Sequence, residues 1–191
     1  MVKRKIRAFC GFEASGKSYS SARLKETMGF QKVSFADPLR DIVFQTIGIP
    51  FEKGMQHYRE LKQMKLINNL TLRNLLENLG SAVRKYDKDF WANAAIETIK
   101  QSPKNICIDD LRYYNEYSAL RKYSAENDID FELVFCDYHS EYYRDDNKHE
   151  SAALAAFLKN MGYKDQQYVK DSDMQIYSVI EGIPKPKFDE P

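Results

Sequence analysis

Gly11-Phe12-Glu13-Ala14-Ser15-Gly16-Lys17-Ser18 is the stretch on which the fold turns. It fits G-x-x-x-x-G-K-[ST] at every fixed position. The glycines let the backbone wrap with its N–H groups pointing inward, and a helix starting here brings its positive dipole end to the same place. In this reading Lys17 reaches the β- and γ-phosphates of a nucleoside triphosphate, and the Ser18 hydroxyl binds Mg²⁺. Gly11, Ala14, Ser15, Gly16 and Tyr19 complete the cradle for ATP. An ordinary glycine turn would not need lysine and serine directly after the second glycine. The flanks agree, since Ile6-Arg7-Ala8-Phe9-Cys10 is an apolar strand pattern and residues 17–28 read as a helix.

Outward from the loop, short apolar runs alternate with longer helical stretches. Lys32-Val33-Ser34-Phe35 reads as a second strand, ended by Ala36-Asp37-Pro38, and the proline is well placed to start a helix over residues 39–47. Residues 51–100 read as helical almost throughout. Leu72, Leu75, Leu76 and Leu79 give the stripe of an amphipathic helix, and Phe90, Trp91, Ala94, Ala95 and Ile99 give another. Asn105-Ile106-Cys107-Ile108-Asp109 is short and apolar, as a buried parallel strand should be. A helix over 115–126 and a strand over 131–136 follow. Residues 137–150 are polar, charged and aromatic without a core period. A helix over 151–161, a short fifth strand at Tyr168-Val169 and a last helix over 173–180 complete the pattern. The alternation predicts an α/β fold with a central parallel sheet of about five strands and helices on both faces, in a single domain spanning 1–191.

Composition narrows the function classes. The 191 residues carry a net charge of +1, and a chain that bound phosphate backbones non-specifically would show a basic excess, so no nucleic-acid partner is expected. The basic opening Lys3-Arg4-Lys5 runs straight into a strand and reads as its solvated entrance. No stretch approaches a membrane span and no signal peptide is evident, so no membrane partner is expected. Cys10, Cys107 and Cys136 are an odd number without metal-ligand spacing and read as small hydrophobes in a reducing cytoplasm. The 13 tyrosines, many in the second half, leave room for a homodimer surface.

A phosphate loop alone leaves the acceptor open. Asp109-Asp110 end the third strand, at the sheet edge where ligands of open α/β folds collect. A carboxylate there can hold Mg²⁺ opposite Ser18, and strand alternation puts the two aspartates on opposite sides. Phosphoryl transfer also needs positive groups around donor and acceptor phosphates. Arg40, Arg59, Arg73, Arg84, Arg112 and Arg144 are the candidates, with Arg112 best placed because it follows the strand-end aspartates by two residues.

These residues together resemble the phage deoxynucleoside monophosphate kinases, within the nucleoside monophosphate kinase-like P-loop group. The resemblance covers nearly the whole chain. It rests on the loop Gly11 to Ser18, on Ser34-Phe35-Ala36-Asp37-Pro38-Leu39-Arg40, and on Arg73-x-x-Leu76-x-x-x-Gly80-x-x-x-Arg84. Phe90-Trp91, Asp110-x-Arg112 with Asn115-Glu116, and His149-Glu150-Ser151 complete it. It implies ATP-dependent phosphorylation of a (deoxy)nucleoside monophosphate to the diphosphate, with Mg²⁺ at Ser18 and Asp110. It further implies Lys17, Arg112 and Arg144 as catalytic groups. Asp37, Arg40, Arg73, Arg84, Trp91 and Arg112 would contact the acceptor. Residues 38–100 would form an acceptor-binding helical region and 137–160 a lid-like segment. The location implied is the cytoplasm, that of the host if the chain is phage-encoded. Glu77 stands where the pattern has glutamine, and Ala152 where it has an acid. Two other readings compete. One is a phosphomevalonate kinase-like small-molecule kinase, against which Tyr58, Tyr86, Trp91, Tyr113 and Tyr114 favour a base. The other is a non-catalytic nucleotide-binding module, against which stand the loop lysine and the strand-end carboxylates.

Overall fold

The strand that feeds the loop, β1 (Lys5–Gly11), lies in the middle of the sheet, which is why Ala8, Phe9 and Cys10 are apolar and buried in succession. The structure is a computed structural model that describes residues 3–13, 15–66 and 68–136, with the backbone of 170–171, 174–175 and 179–180. After β1 come α1 (Lys17–Met28), β2 (Gln31–Lys32), α2 (Asp37–Thr46), α3 (Phe51–Gln56) and α4 (Tyr58–Leu61). Then follow α5 (Leu72–Tyr86), α6 (Phe90–Lys100), β3 (Ile106–Ile108), α7 (Tyr114–Glu126) and β4 (Asp130–Cys136). The last pieces are β5 (Lys170–Asp171), β6 (Met174–Gln175) and β7 (Val179–Ile180).

The sheet order is β2-β3-β1-β4-β7, with the first four strands parallel and β7 antiparallel against β4. The expected α/β sheet is thus four parallel strands and a short antiparallel edge. The chain leaves β1 for β2 in one direction and β3 for β4 in the other. The C-terminal edges of neighbouring β1 and β3 therefore open a crevice.

Side-chain alternation divides the core in two. Ile6, Ala8, Cys10, Ile106, Ile108, Leu133 and Phe135 meet Ala95, Ile99, Leu120 and Tyr123 of α6 and α7. Phe9, Cys107, Val134 and Cys136 point the other way, to Leu24 of α1 and Phe30. A third cluster, Leu39, Val43, Phe44, Leu72, Leu76 and Trp91, holds the helices α2 to α6 as a wall beside the sheet edge. All three cysteines are buried, and burial pushes the Cys10 thiol up to about 12. At the basic entrance Lys3 is exposed, as expected, and acids stand beside both lysines. Lys5 Nζ lies 2.7 Å from Glu132, which also pairs with Arg7, and Lys3 pairs with Asp128.

Several elements differ from the sequence expectation. Strand β2 stops at Lys32 rather than Phe35, because the N–H groups of Phe35 and Ala36 turn to the Asp110 carboxylate instead of a strand. The region 51–100 is broken between α4 and α5, where Asn68 and Asn69 have positive φ and Lys65 bridges to Thr71. In α6 the buried stripe is Trp91, Ala92, Ala95, Ile96 and Ile99, while Phe90 is exposed. The last helix expected over 173–180 is replaced by β6 and β7, and β5 pairs with β6 in a separate two-stranded sheet. The strand expected at Tyr168-Val169 lies outside the described residues, as do the helix over 151–161 and the lid-like segment 137–160. Among the described residues no helix is long and apolar enough to cross a membrane.

Candidate functional site

The loop between β1 and α1 needs its glycines for separate reasons. Gly11 has φ +156°, and a Cβ there would stand 2.2 Å from the Cys136 carbonyl oxygen and 2.6 Å from Ser15 Oγ. Gly16, at φ +91°, occupies left-handed space at the N-cap of α1. Ser15 is fully buried beneath the loop, while Ser18 and Tyr19 are exposed at its outer side. Lys17 turns back over the loop, where Nζ donates to Gly11 O at 2.7 Å and also to Phe12 O. Burial lowers its pKa; Cys136, Cys10 and Asp109 oppose that, and Arg112 reinforces it. The ammonium is thus held by carbonyl oxygens that phosphate oxygens can replace. Ala14 lies outside the described residues.

The two strand-end aspartates have separate partners. Asp109 is buried, and its Oδ2 accepts from Lys32 Nζ at 2.7 Å and from the Ser21 hydroxyl at 3.3 Å. Ser21 sits on α1 one turn after Ser18, so Asp109 faces the phosphate-loop helix. Asp110 faces α2, with Oδ1 accepting the Phe35 N–H at 3.0 Å and Oδ2 the Ala36 N–H at 3.1 Å. Burial raises the Asp110 pKa, Arg40 works against that, and Asp109 adds to it. Each Asp110 oxygen thus has one backbone partner, and Asp109 stands beside the loop helix.

Beyond Asp110 lies the acceptor-side wall. Asp37 Oδ2 accepts the Ser34 N–H, and its Oδ1 lies 2.7 Å from Arg40 Nη1. The Arg40 guanidinium covers the Tyr58 ring at 4.8 Å from its centroid. Burial works against the Arg40 charge, but Asp110, Tyr58 and Asp37 raise its pKa overall. Its Nε is buried without a partner. Arg73 is half-exposed and donates from Nε to Glu77 at 2.9 Å, an i,i+4 ion pair along α5. The bond to Glu77 raises the Arg73 pKa against slight burial, and Glu13 of the loop adds to it.

Arg84 of α5 lies over the Tyr113 ring at 4.6 Å and 3.7 Å from Glu116. Arg112 is exposed at the β3–α7 turn, and its charge adds to the lowering of the Lys17 pKa. Trp91 is core rather than pocket surface. It is 3% exposed, its Nε1–H donates to Gly80 O at 3.2 Å, and its ring stands edge-on to Phe90.

Lys17, Asp109, Asp110, Arg40, Arg84 and Arg112 thus gather around one sheet edge, while Arg73 stands at the rim and Trp91 behind the wall. Arg144 and His149 lie outside the described residues. Sequence reasoning gave no role to Ser21, Lys32 or Glu116. Glu116 carried a faint signal, because it stands three residues after Tyr113 where a helix-start acid reaches back to the N-cap N–H. Without Ser or Thr at the cap the signal is muted.

No protein-family model matches the chain, and a comparison with curated proteins finds no match. Among solved structures, a point mutant of the Mycobacterium tuberculosis APS kinase CysC aligns at 16% identity over 86% of this chain and 100% of that one, with a TM-score of 0.35. The same kinase in complex with AMPPNP and APS aligns at 20% identity over 97% of this chain and 86% of that one, with a TM-score of 0.37. A gluconokinase from Sinorhizobium meliloti 1021 aligns at 17% identity over 91% of this chain and 81% of that one, with a TM-score of 0.38. At scores this low, strand order and loop geometry characterise the fold better than the likenesses do.

Proposed function

We propose that this chain is an ATP-dependent P-loop kinase that transfers the γ-phosphoryl group to a small phosphorylated acceptor, a (deoxy)nucleoside monophosphate. One observation carries the reading: a phosphate loop with its lysine and a separate set of arginines from α2, α5 and the β3–α7 turn meet at one sheet edge. A phosphate loop alone holds a donor; the second cationic set gives a place for an anionic acceptor.

In this reading the loop N–H groups and the N-terminus of α1 hold the β- and γ-phosphates. Lys17 Nζ exchanges the Gly11 and Phe12 carbonyls for phosphate oxygens. An oxygen of the acceptor phosphate attacks the γ-phosphorus while the bond to the β–γ bridging oxygen breaks, releasing ADP. The acceptor anion is nucleophilic near neutral pH, so no side chain need take a proton. Arg40, Arg84 and Arg112 supply the positive charge around the acceptor phosphate.

The donor set fits Mg²⁺: an exposed Ser18 hydroxyl on the helix that Asp109 faces. Magnesium characteristically uses one or two protein oxygens and completes its shell with phosphates and water. When bound it would neutralise charge on the triphosphate. Asp109, directly or through water, is the carboxylate we assign to it.

A second reading has a specific observation behind it. Trp91 is buried, and one face each of Tyr58 and Tyr113 is covered by a guanidinium. The wall therefore presents cations more plainly than stacking surfaces, which keeps a non-nucleotide phosphorylated acceptor such as phosphomevalonate in contention. The test is ADP formation from ATP and Mg²⁺ with each ribo- and deoxyribonucleoside monophosphate and phosphomevalonate, beside a Lys17→Ala control. Turnover of a nucleotide that the control lacks supports the proposal. Activity on phosphomevalonate alone replaces the acceptor, and ATP binding without any turnover replaces the enzyme by a binding module.

A further inference from the structure

Glu116 is only 3% exposed, yet each of its oxygens faces a different element. Oε2 accepts the N–H groups of Arg112 at 2.9 Å and Tyr113 at 3.1 Å, and Oε1 lies 3.7 Å from Arg84 Nη2. The Arg84 guanidinium in turn lies on the Tyr113 ring. One carboxylate thus ties the turn that carries Arg112 to the helix that carries Arg84. We propose that Glu116 is a positioning residue that sets Arg84 and Arg112 as the two arms of a clamp for the acceptor's anionic group. This rests on the transfer reading given above.

The chemistry of the site argues for a charged group here. A neutral amide of the same shape could accept the same two backbone N–H groups without burying a charge. It could not hold a guanidinium with its other end. Oε2 already takes both backbone N–H groups, so the approach of Oε1 to Arg84 at 3.7 Å is more than helix capping requires.

Glu116→Gln separates the two roles. The amide oxygen must face the two N–H groups, which turns the NH₂ group toward Arg84 and leaves two donors opposed. The measurement is calorimetric titration of dAMP, dCMP, dGMP and dTMP, and separately of ATP, into the wild type, Glu116→Gln, Arg84→Met and the double variant. The expected result is a rise of roughly tenfold in Kd for the monophosphate that binds, from loss of a charged contact. ATP affinity should stay within about twofold, and Glu116→Gln should add nothing once Arg84 is Met, because neighbours acting through one contact are not additive. Unchanged monophosphate affinity, a loss equally large without Arg84, a parallel loss of ATP binding, or a wild type that binds none of the four would each overturn the clamp. If the wild type binds a monophosphate tightly but forms no ADP, the transfer reading fails while the clamp stands or falls on the same titrations.

Discussion

Replacing Glu116 by Gln should stabilise the protein clearly at pH 8 and only slightly at pH 5. The carboxyl is raised from 4.5 to about 7, first by burial and further by Asp110, against the N–H groups of Arg112 and Tyr113 and the Arg84 charge. Its charge adds slightly to the raised pKa of the buried Cys10 thiol, which burial dominates. Because the folded pKa lies above the unfolded one, the folded state holds a proton that the unfolded chain has lost between about pH 4.5 and 7. Stability therefore falls as pH rises through that window and levels off above it. At ~1.4 kcal/mol per pH unit, the ionised carboxylate costs roughly 3 kcal/mol at pH 8. The side chain is almost wholly buried, so solvent screening takes little from this figure. Gln has no proton to lose, and its variant also relieves Asp110 of a neighbouring charge, which acts in the same direction. Urea unfolding of both proteins at pH 5, 6, 7 and 8 reads the effect. The stability difference should open from about 0.7 kcal/mol at pH 5 toward about 3 kcal/mol at pH 8. A difference that stays flat across the four values would refute the reasoning. Set beside weaker acceptor binding in the same variant, the gain would mark a functional carboxylate held at the expense of stability.

Three further outcomes follow from named contacts. Gly11→Ala forces a Cβ onto the Cys136 carbonyl oxygen at 2.2 Å, and should cost about 2 kcal/mol or more in thermal unfolding and abolish ATP binding by fluorescence titration. Asp110→Ala strands the Phe35 and Ala36 N–H groups and should cost about 1–3 kcal/mol. In steady-state kinetics it should also raise the acceptor KM, whereas Asp109→Asn should instead raise the Mg²⁺ concentration needed for half-maximal turnover. Leu120→Ala, at a fully buried core position on α7, should lower the unfolding free energy by about 2–5 kcal/mol with little change in the ATP KM.

What the sequence determined by itself lies where neighbours along the chain set the outcome. The order of glycines, lysine and serine from Gly11 to Ser18 defines a phosphate loop, because backbone space and charge are decided within eight residues. The Leu72, Leu75, Leu76 and Leu79 stripe likewise defines the apolar side of α5, because helical periodicity is local. Strand alternation foretold that Asp109 and Asp110 would part company. Which partner each found was decided only by the fold. Asp110 reaches backbone groups 74 and 75 positions away, and Asp109 a lysine 77 away. The same holds for Trp91, whose place is set by Gly80 and the α5 packing. Glu116 owes its meaning to Arg84, which another helix supplies. A motif can state what a backbone will hold, but the work of a buried charge depends on the groups that packing brings within reach of it.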